Sequence, residues 1–457
     1  QPIGDNTSVT LFSNYQLSQF IRDLNYSSLE EIKEFQSNDL GVNITHRMSN
    51  NGILKVFNYS LYESYRFDYQ SPTFSGDFNQ TKKRNFTITN YRQRFGNNVF
   101  TINSNVSFSD ANFNYADTDI NIYNRDLFLS ANYQIIKETF ELKGGINYDG
   151  RYQKFRGKFY QYDFAEGPGY PTLSGNSEQL LHRPEGFIYG KYYFSDKIIA
   201  GAGLRKNLPT DDQENYLSRQ LNLKYNFSDN FSVTASWGTY NKYNLIQNQA
   251  EKTQLITSEQ LSIDFIYQEP SLEINLSVFA KETQNNTVNS IYGAELFLKA
   301  ELFQKLTAQT SFSYLSDERS LNESQFPGKY DLNYFIRGNL KYKLGNFWDI
   351  TATFLFRDGQ YYQPVVNTFF RNDLNAHQPA YVELSEQQRM PSYQTVDLSI
   401  SRLIPLTEQL NIISFASINN LFNHKNVRGY SYDFDYTNKT ENLFSLRTIY
   451  FGVVINF

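Results

Sequence analysis

Apolar and polar residues alternate along most of this chain. At its C-terminal end, Thr448, Tyr450, Gly452 and Asn456 lie on one face of the alternation. The opposite face carries Ile449, Phe451, Val453, Ile455 and Phe457. A period of two residues is the pattern of a β-strand whose two faces meet different surroundings. The same pattern recurs at 231–238, 272–281, 306–314, 334–342 and 396–401. It predicts an all-β chain, in which these strands form either a β-sandwich or a β-barrel.

The spacing of the connections favours the barrel. Reading backwards from the C-terminus, long links alternate with tight turns. Short turns at one end and long loops at the other are typical of outer-membrane barrels, whereas a sandwich has no reason to keep this order. The longer links are 423–442, 361–392, 315–330, 284–290, 241–256, 206–217, 151–183, 112–118 and 70–82.

The predicted fold is therefore a large antiparallel transmembrane β-barrel of about 22 strands, with long extracellular loops and short periplasmic turns. Its strands exceed the ~10 residues needed for crossing, so many are expected to extend beyond the bilayer. Residues 40–457 are expected to form the barrel. Residues 1–39 are expected to supply its first strands, including Ser8–Phe20, or to connect a plug to it. A capping box at Ser28–Glu31 offers a helix over Leu29–Phe35 as the alternative.

Two tryptophans and the chain end fit this fold. Trp237 and Trp348 fall where strands approach a link, as expected for residues of an aromatic girdle at the membrane interfaces. The order of Tyr450, Gly452, Ile455 and Phe457 resembles the C-terminal signal that the outer-membrane assembly machinery reads. The predicted location is the outer membrane of a Gram-negative bacterium, with lipid as the surrounding partner.

Composition excludes several classes of function. The chain has no cysteine, which excludes disulfides, thiol catalysis and cysteine-ligated metals. Its net charge is −5 and it has no long basic run, so no nucleic-acid partner is expected. The mean hydropathy of −0.56 does not oppose a membrane barrel, because only alternate residues of each strand meet lipid.

No catalytic constellation is present, and an enzyme is not expected. The sequence has no nucleophile elbow, no phosphate-binding glycine loop and no zinc-protease motif. The histidines are far apart and read as solvated loop residues rather than metal ligands: His46, His182, His377 and His424. The acidic pairs Asp433/Asp435 and Asp211/Asp212 lack the pattern of a calcium loop. We therefore expect neither a cofactor nor a bound metal.

The long links are rich in aromatic residues, with arginines nearby. Aromatic and guanidinium groups suit capture of a ring-rich or sugar ligand. They equally suit docking of a partner protein or packing of loop against loop. The candidate contact residues are Tyr160, Tyr162, Phe164, Tyr170, Arg357, Tyr361, Tyr362, Phe369, Phe370 and Arg371.

Several motifs resemble the barrel of TonB-dependent outer-membrane receptors, in family order. Arg389–Ser399 resembles the R-x-P-x-Y-x-x-x-D-L-S strand entry, and Ile418–Asn426 resembles the N-L-F-N-x-K motif at the end of the penultimate strand. Phe356–Pro364 is similar to F-x-x-G-x-x-Y-x-P. Ile291–Leu296 and Ser258–Leu261 are similar to two earlier strand starts. The aromatic, asparagine-rich texture resembles the Bacteroidota members.

The resemblance implies uptake of a nutrient ligand of the siderophore, cofactor or glycan class through a plugged lumen. The TonB system would then be a partner, provided that a plug and a TonB box lie upstream. The present sequence leaves no room for a plug, because strands are expected within its first tens of residues. A surface lipoprotein or other complex subunits are further expected partners. The alternatives are an accessory structural barrel in a larger outer-membrane complex without transport activity, and a plugless passive pore.

Overall fold

The computed structural model describes residues 4–16, 18–208, 210, 214–244, 254–284, 287–321, 324–407 and 410–456. The chain forms two compact units. The first comprises residues 1–19, 31–223 and 236–259, and the second comprises residues 20–30, 224–235 and 260–457.

The first unit consists of long antiparallel strands, each paired with the next along the chain. They are Thr7–Tyr15 (β1), Ile32–Arg47 (β2), Gly52–Ser71 (β3), Phe74–Phe95 (β4), Asn98–Tyr115 (β5), Thr118–Ile136 (β6), Phe140–Tyr160 (β7), Thr172–Tyr193 (β8) and Ile198–Asn207 (β9). Three strands contain a boundary between the units: Leu217–Asn226 (β10), Phe231–Asn244 (β11) and Gln254–Glu269 (β12).

The second unit contains shorter strands and three small two-stranded sheets. Its strands are Leu272–Gln284 (β13), Val288–Leu302 (β14), Leu306–Leu321 (β15), Ser324–Pro327 (β16), Leu332–Leu344 (β17), Trp348–Arg357 (β18), Tyr361–Tyr362 (β19), Val365–Arg371 (β20), Ala376–Tyr381 (β21), Gln388–Arg389 (β22), Tyr393–Pro405 (β23), Asn411–Asn419 (β24), Val427–Tyr432 (β25), Lys439–Leu443 (β26) and Thr448–Asn456 (β27). The small sheets are the hairpins β20–β21 and β25–β26 and the pair β19–β22. The short 3₁₀ helices are Tyr26–Ser28 and Leu384–Glu386, and the α-helix Ser18–Leu24 (α1) precedes the first of them.

Most of these strands belong to one 21-stranded antiparallel sheet, as the alternation predicts. Many of its exposed positions are apolar. In β12, the exposed Leu261, Ile263 and Phe265 alternate with the less exposed Ser262 and Asp264. A water-soluble sheet exposes the opposite set, so this arrangement fits strands that meet lipid on one face. No helix in the described ranges is long and apolar enough to cross a membrane.

The predicted links in the first unit are too long. The link expected at 70–82 is a turn at 72–73, and the one expected at 112–118 is a turn at 116–117. The link expected at 151–183 shrinks to 161–171, because β7 and β8 continue into it. Paired β-strands satisfy the backbone groups of these polar and aromatic segments as well as a loop in water would, so polarity alone does not end a strand.

The predicted helix at Leu29–Phe35 is wrong. Ile32 already begins β2, where it pairs with Phe67 of β3, and the helical turn lies earlier, at Ser18–Leu24. Cross-strand pairing therefore wins over the local capping signal of Ser28–Glu31. The strand expected at Ser8–Phe20 is present but ends at Tyr15, and β2 runs across the expected boundary between residues 39 and 40.

Asn25 fixes the last strand in the second unit. Its amide Nδ2 donates to the carbonyl oxygen of Ile449 at 2.9 Å, and its Oδ1 accepts from the Ile449 N–H at 2.6 Å. The rings of Phe20 and Phe451 meet edge to face at 5.4 Å. The Asn25 side chain thus satisfies the backbone N–H and carbonyl groups of Ile449 in β27, and Phe20 adds an apolar contact.

Candidate ligand-contacting loops

In the first unit, the loop at 161–171 folds back onto two hairpin turns. The Glu166 side chain accepts hydrogen bonds from the Tyr69 hydroxyl at 2.8 Å and from the Tyr115 hydroxyl at 3.0 Å. Thr73 Oγ1 donates to the Glu166 carbonyl oxygen at 2.8 Å and accepts from the Glu166 N–H at 2.9 Å. Glu166 is only 8% exposed and Ala165 is fully buried. This loop is therefore held in one conformation by its own unit.

The two tyrosines that hold Glu166 lie near the loop ends of β3 and β5, eighteen residues from the opposite turns and beyond the ~10 residues that cross a bilayer. Burial, followed by the charge and hydrogen bond of Glu166, raises the pKa of Tyr115 to about 12. Burial and the hydrogen bond to Glu166 likewise raise the pKa of Tyr69. Both hydroxyls therefore keep their protons and donate at neutral pH.

Aromatic rings pack around the hydrogen bonds that Tyr69, Tyr115 and Thr73 make to Glu166, which we call the Glu166 latch. The rings of Tyr69 and Tyr115 lie 4.9 Å apart, and those of Tyr115 and Tyr160 lie 6.0 Å apart. Tyr160 also accepts a hydrogen bond from the Asp117 N–H at 3.0 Å. Of the four aromatic residues predicted here to contact a ligand, Tyr160 and Phe164 are buried, whereas Tyr162 and Tyr170 are partly exposed. Their contact with a ligand stays a prediction.

The second unit presents two aromatic hairpins, β20–β21 and β25–β26. His377 joins them, because its ring lies 5.0 Å from that of Phe370 and 5.4 Å from that of Phe434. Phe369 is 58% exposed, Phe370 46% and Phe434 42%. The structure therefore places the predicted Phe369 and Phe370 on an exposed aromatic surface, and adds Phe434 to it.

A second contact joins the β25–β26 hairpin to strand β19. The rings of Tyr362 and Tyr430 lie 4.8 Å apart. The Lys439 ammonium sits 4.0 Å from the Tyr430 ring centroid and donates to the Tyr362 hydroxyl at 3.4 Å. Tyr362 is thus a packing residue as well as a candidate contact residue.

The candidate arginines Arg371 and Arg357 already contact other residues of the chain. Arg371 binds both carboxylate oxygens of Asp373, at 2.8 and 2.7 Å, and the Gln378 Oε1 at 3.2 Å. The hydrogen bonds from Arg371 lower the pKa of Asp373. Arg357 lies over the Tyr393 ring, with 5.1 Å from its guanidinium carbon to the centroid. Arg371 is therefore paired with a carboxylate, whereas the partners of Arg357 are an aromatic ring and the carbonyl oxygen of Asp358, at 3.1 Å.

Arg389 organises the base of the long loop between β18 and β23. Its Nη1 donates to the carbonyl oxygens of Asp331 and Gly359, at 2.7 and 3.1 Å, and lies 3.0 Å from the Asp358 carboxylate. Its guanidinium covers the ring of the predicted Tyr361 at 4.2 Å. The arginine of the R-x-P motif therefore holds three loop segments together.

Two asparagines of the neighbouring motif have a similar role. Asn426 is 1% exposed, and its side chain pairs with the backbone N–H and carbonyl oxygen of Gln394, each at 2.8 Å. Asn420 donates its backbone N–H to the Asp397 carboxylate at 2.7 Å. These residues anchor the loop that carries β25 and β26 to strand β23. The motifs marked their position, but the pairing needed the structure.

The remaining predicted residues are separate from these loops. Trp237 donates to the Glu259 carboxylate at 2.7 Å, and Trp348 stacks under the Arg402 guanidinium at 5.1 Å. Tyr450, Gly452 and Ile455 lie in β27, while Phe457 lies outside the described residues. The girdle and the assembly signal stay predictions.

The described ranges hold no group of three or more histidine and carboxylate side chains that could bind a metal. His46 and His424 are hydrogen-bonded to Thr7 and Asn426, at 2.8 and 3.0 Å. Asp433 accepts from the backbone N–H and side-chain amide of Asn438, at 3.0 and 2.6 Å, and so closes the β25–β26 turn. Asp211 and Asp212 lie outside the described residues.

Known structures share this architecture. The chain is similar to the siderophore receptor PiuA from Acinetobacter baumannii, with TM-score 0.68 and 11% identity over 100% of this chain and 78% of that one. The ferric yersiniabactin uptake receptor FyuA from Yersinia pestis gives TM-score 0.73 and 13% identity, covering 100% and 76%. The copper transporter OprC gives 0.66 and 12%, covering 93% and 72%. No protein-family model and no curated protein matches the sequence.

These similarities confirm the predicted fold class, a large antiparallel β-barrel, and the resemblance to TonB-dependent receptor barrels. The three cargoes named above differ from one another, so the fold does not select a ligand.

Proposed function

We propose that this chain is the barrel of an outer-membrane transporter that takes up a nutrient ligand with energy from the TonB system. The observation that carries the proposal is the fold, which it shares with siderophore and copper receptors along almost its whole length. In this proposal, residues 1–39 contribute the first barrel strands, residues 40–457 contribute the rest, and a plug in the lumen comes from sequence upstream.

The aromatic hairpins are the proposed first contact for the ligand. Their exposed rings at Phe369, Phe370 and Phe434 give an apolar aromatic surface. Such a surface binds planar aromatic ligands, such as catecholate siderophores and corrinoids, and the apolar faces of sugars. The nearby Arg371 is already paired with Asp373, which favours stacking over capture of a free anion as the main recognition.

Uptake by living cells tests this proposal. The complete protein is expressed in a Gram-negative host that lacks its own receptors, and cells are offered a labelled ferric siderophore, a corrinoid or an oligosaccharide. We expect accumulation of one of the three, and loss of it when TonB is deleted. Accumulation that persists without TonB would identify a passive pore, and no accumulation of any would remove transport from the proposal.

The second candidate function is an accessory structural barrel in a larger outer-membrane complex. The observation that favours it is the same aromatic surface, since exposed rings that pack two hairpins together also suit a protein partner such as a surface lipoprotein. Purification in mild detergent distinguishes the two candidates. A stable stoichiometric partner on the hairpins, with no uptake, supports the accessory role.

A further inference from the structure

In the hairpin β3–β4, part of the face that is apolar in the neighbouring strands is polar. Cross-strand pairing places six residues in one row on one face, from Leu11 through Val42, Asn58, Thr87 and Val106 to Leu127. The row is apolar except at β3 and β4. In the next row, Leu40 and Phe108 flank Ser60 and Asn85, and the outer positions are Ser13 on β1 and Arg125 on β6.

This face is the one that meets lipid in the proposed outer-membrane barrel. It carries the exposed Leu11, Leu40, Phe108 and Leu127. Asn58 is the seventh residue of β3 and Thr87 the ninth from the short-turn end of β4. Both fall within the ~10 residues of a strand that cross the bilayer. The polar stripe of Asn58, Ser60, Asn85 and Thr87 therefore interrupts the lipid-facing band.

The opposite face of the same hairpin is aromatic. Phe12 stacks on Phe57 at 6.1 Å and on Tyr59 at 6.2 Å, and Phe86 lies 5.8 and 5.5 Å from these two rings. A shift of one residue in register would exchange the two faces and bring the rings to lipid. The ladder from Gly52–Gln93 to Ser71–Phe74 is continuous, so the reversed arrangement is built into the hairpin.

The stripe satisfies part of its own hydrogen-bonding capacity. Asn58 Nδ2 donates to Thr87 Oγ1 at 2.8 Å, and Asn85 Nδ2 donates to Ser60 Oγ at 2.7 Å. Each hydroxyl still has a proton to donate, and each amide has further donor or acceptor positions. Hydrocarbon offers these groups no partner, whereas Ser, Thr and Asn side chains join membrane segments by hydrogen bonds.

We propose that this stripe is the centre of an interface with a second copy of the chain inside the membrane. All copies enter the membrane in the same direction, so a two-fold axis between them runs along the membrane normal. Residues at a given depth in the membrane on one copy then face residues at the same depth on the other. The polar stripe of one copy therefore faces the polar stripe of the second. Every residue of the stripe both donates and accepts, and none carries a charge, so the surface is complementary to itself.

Single cysteines test this interface, because the chain has none of its own. Thr87→Cys places one thiol in the stripe. Leu127→Cys places one in the same row, two strands away, as the matched control. After oxidation or bismaleimide treatment of intact outer membranes, we expect the main Thr87→Cys band to move from the mass of one protein chain to twice that mass. The control band is expected to stay at the mass of one chain.

A second variant separates the stripe from general effects of cysteine. The double variant Asn58→Leu, Thr87→Val is expected to run as a monomer in lipid nanodiscs, where the wild type runs as a dimer, with both resisting detergent unfolding alike. A monomeric wild type, equal cross-linking of the two cysteine variants, or another protein bound at the stripe would overturn the proposal. The inference rests on the outer-membrane location, and absence of the chain from outer-membrane fractions would instead refute the proposed function.

Discussion

The 161–171 loop and the aromatic hairpins are both rich in aromatic residues, yet they use them differently. In the loop, Phe164 is buried and the Glu166 carboxylate is held by Tyr69 and Tyr115. In the hairpins, Phe369 and Phe370 stay exposed. The difference is that a buried carboxylate gathers hydroxyl donors around the loop. Aromatic content alone therefore does not distinguish a packed loop from a binding surface.

The largest expected effect is on ligand uptake, and it distinguishes the exposed hairpins from the packed 161–171 loop. Replacing Phe369, Phe370 and Phe434 together by alanine removes the exposed rings. We expect the apparent Kd for the transported ligand to rise roughly thirtyfold or more, as for loss of aromatic hot-spot contacts. Phe303→Ala is the matched control, because Phe303 is a highly exposed phenylalanine in a short turn of the same unit. Unchanged uptake by the triple variant would assign the hairpins to another role.

Arg389→Ala is expected to loosen the loop between β18 and β23, which carries the hairpin β20–β21. The change removes the hydrogen bonds to Asp331 and Gly359 and leaves the Asp358 carboxylate without its cation. We expect local opening of residues 358–392 to become easier by about 2 kcal/mol, less than for a fully buried ion pair. Hydrogen exchange of amides in this segment measures it. Exchange as slow as in the wild type would show that Tyr361 and the strands hold the base alone.

Glu166→Ala is expected to free the loop of the first unit. It leaves two partly buried tyrosine hydroxyls without this acceptor, at a cost of about 1–2 kcal/mol, near that of unsatisfied buried groups. Limited proteolysis within 161–171 is expected to accelerate. Asp163→Ala is the control, since Asp163 is exposed in the same loop. Equal protease resistance of the Glu166 variant and the wild type would contradict the latch.

The smallest effect is a shift in tyrosine titration. The pKa of Tyr115 is raised to about 12 in the folded protein, above the ordinary 10, so its contribution to stability is complete below pH 10. That contribution is lost as the pH rises through 12. Absorbance titration of tyrosinate is expected to show late-titrating groups in the wild type that titrate earlier in Glu166→Gln. Identical curves would remove Glu166 as a cause.

Much of the fold could be predicted from alternation, because a strand in a membrane barrel has an apolar face wherever it meets lipid. Beyond the bilayer this constraint ends, and the chain at 74–82 and 151–160 forms strands that the alternation does not reveal. The latch could not be predicted, since Tyr69 and Tyr115 lie 97 and 51 residues from Glu166 in sequence. Motif resemblance located Arg389, Asn420 and Asn426, but their bonding depends on neighbours that only folding brings together.

Labelling of single cysteines on living cells tests most directly whether the hairpins are the outward contact surface and the 161–171 loop is fixed. The cysteine-free chain allows Phe369→Cys and Phe164→Cys to be compared with a maleimide that does not cross membranes. We predict rapid labelling at residue 369, loss of ligand uptake once it is labelled, and little labelling at residue 164. Protection of residue 369 on intact cells, or equal labelling of both positions, would contradict this account.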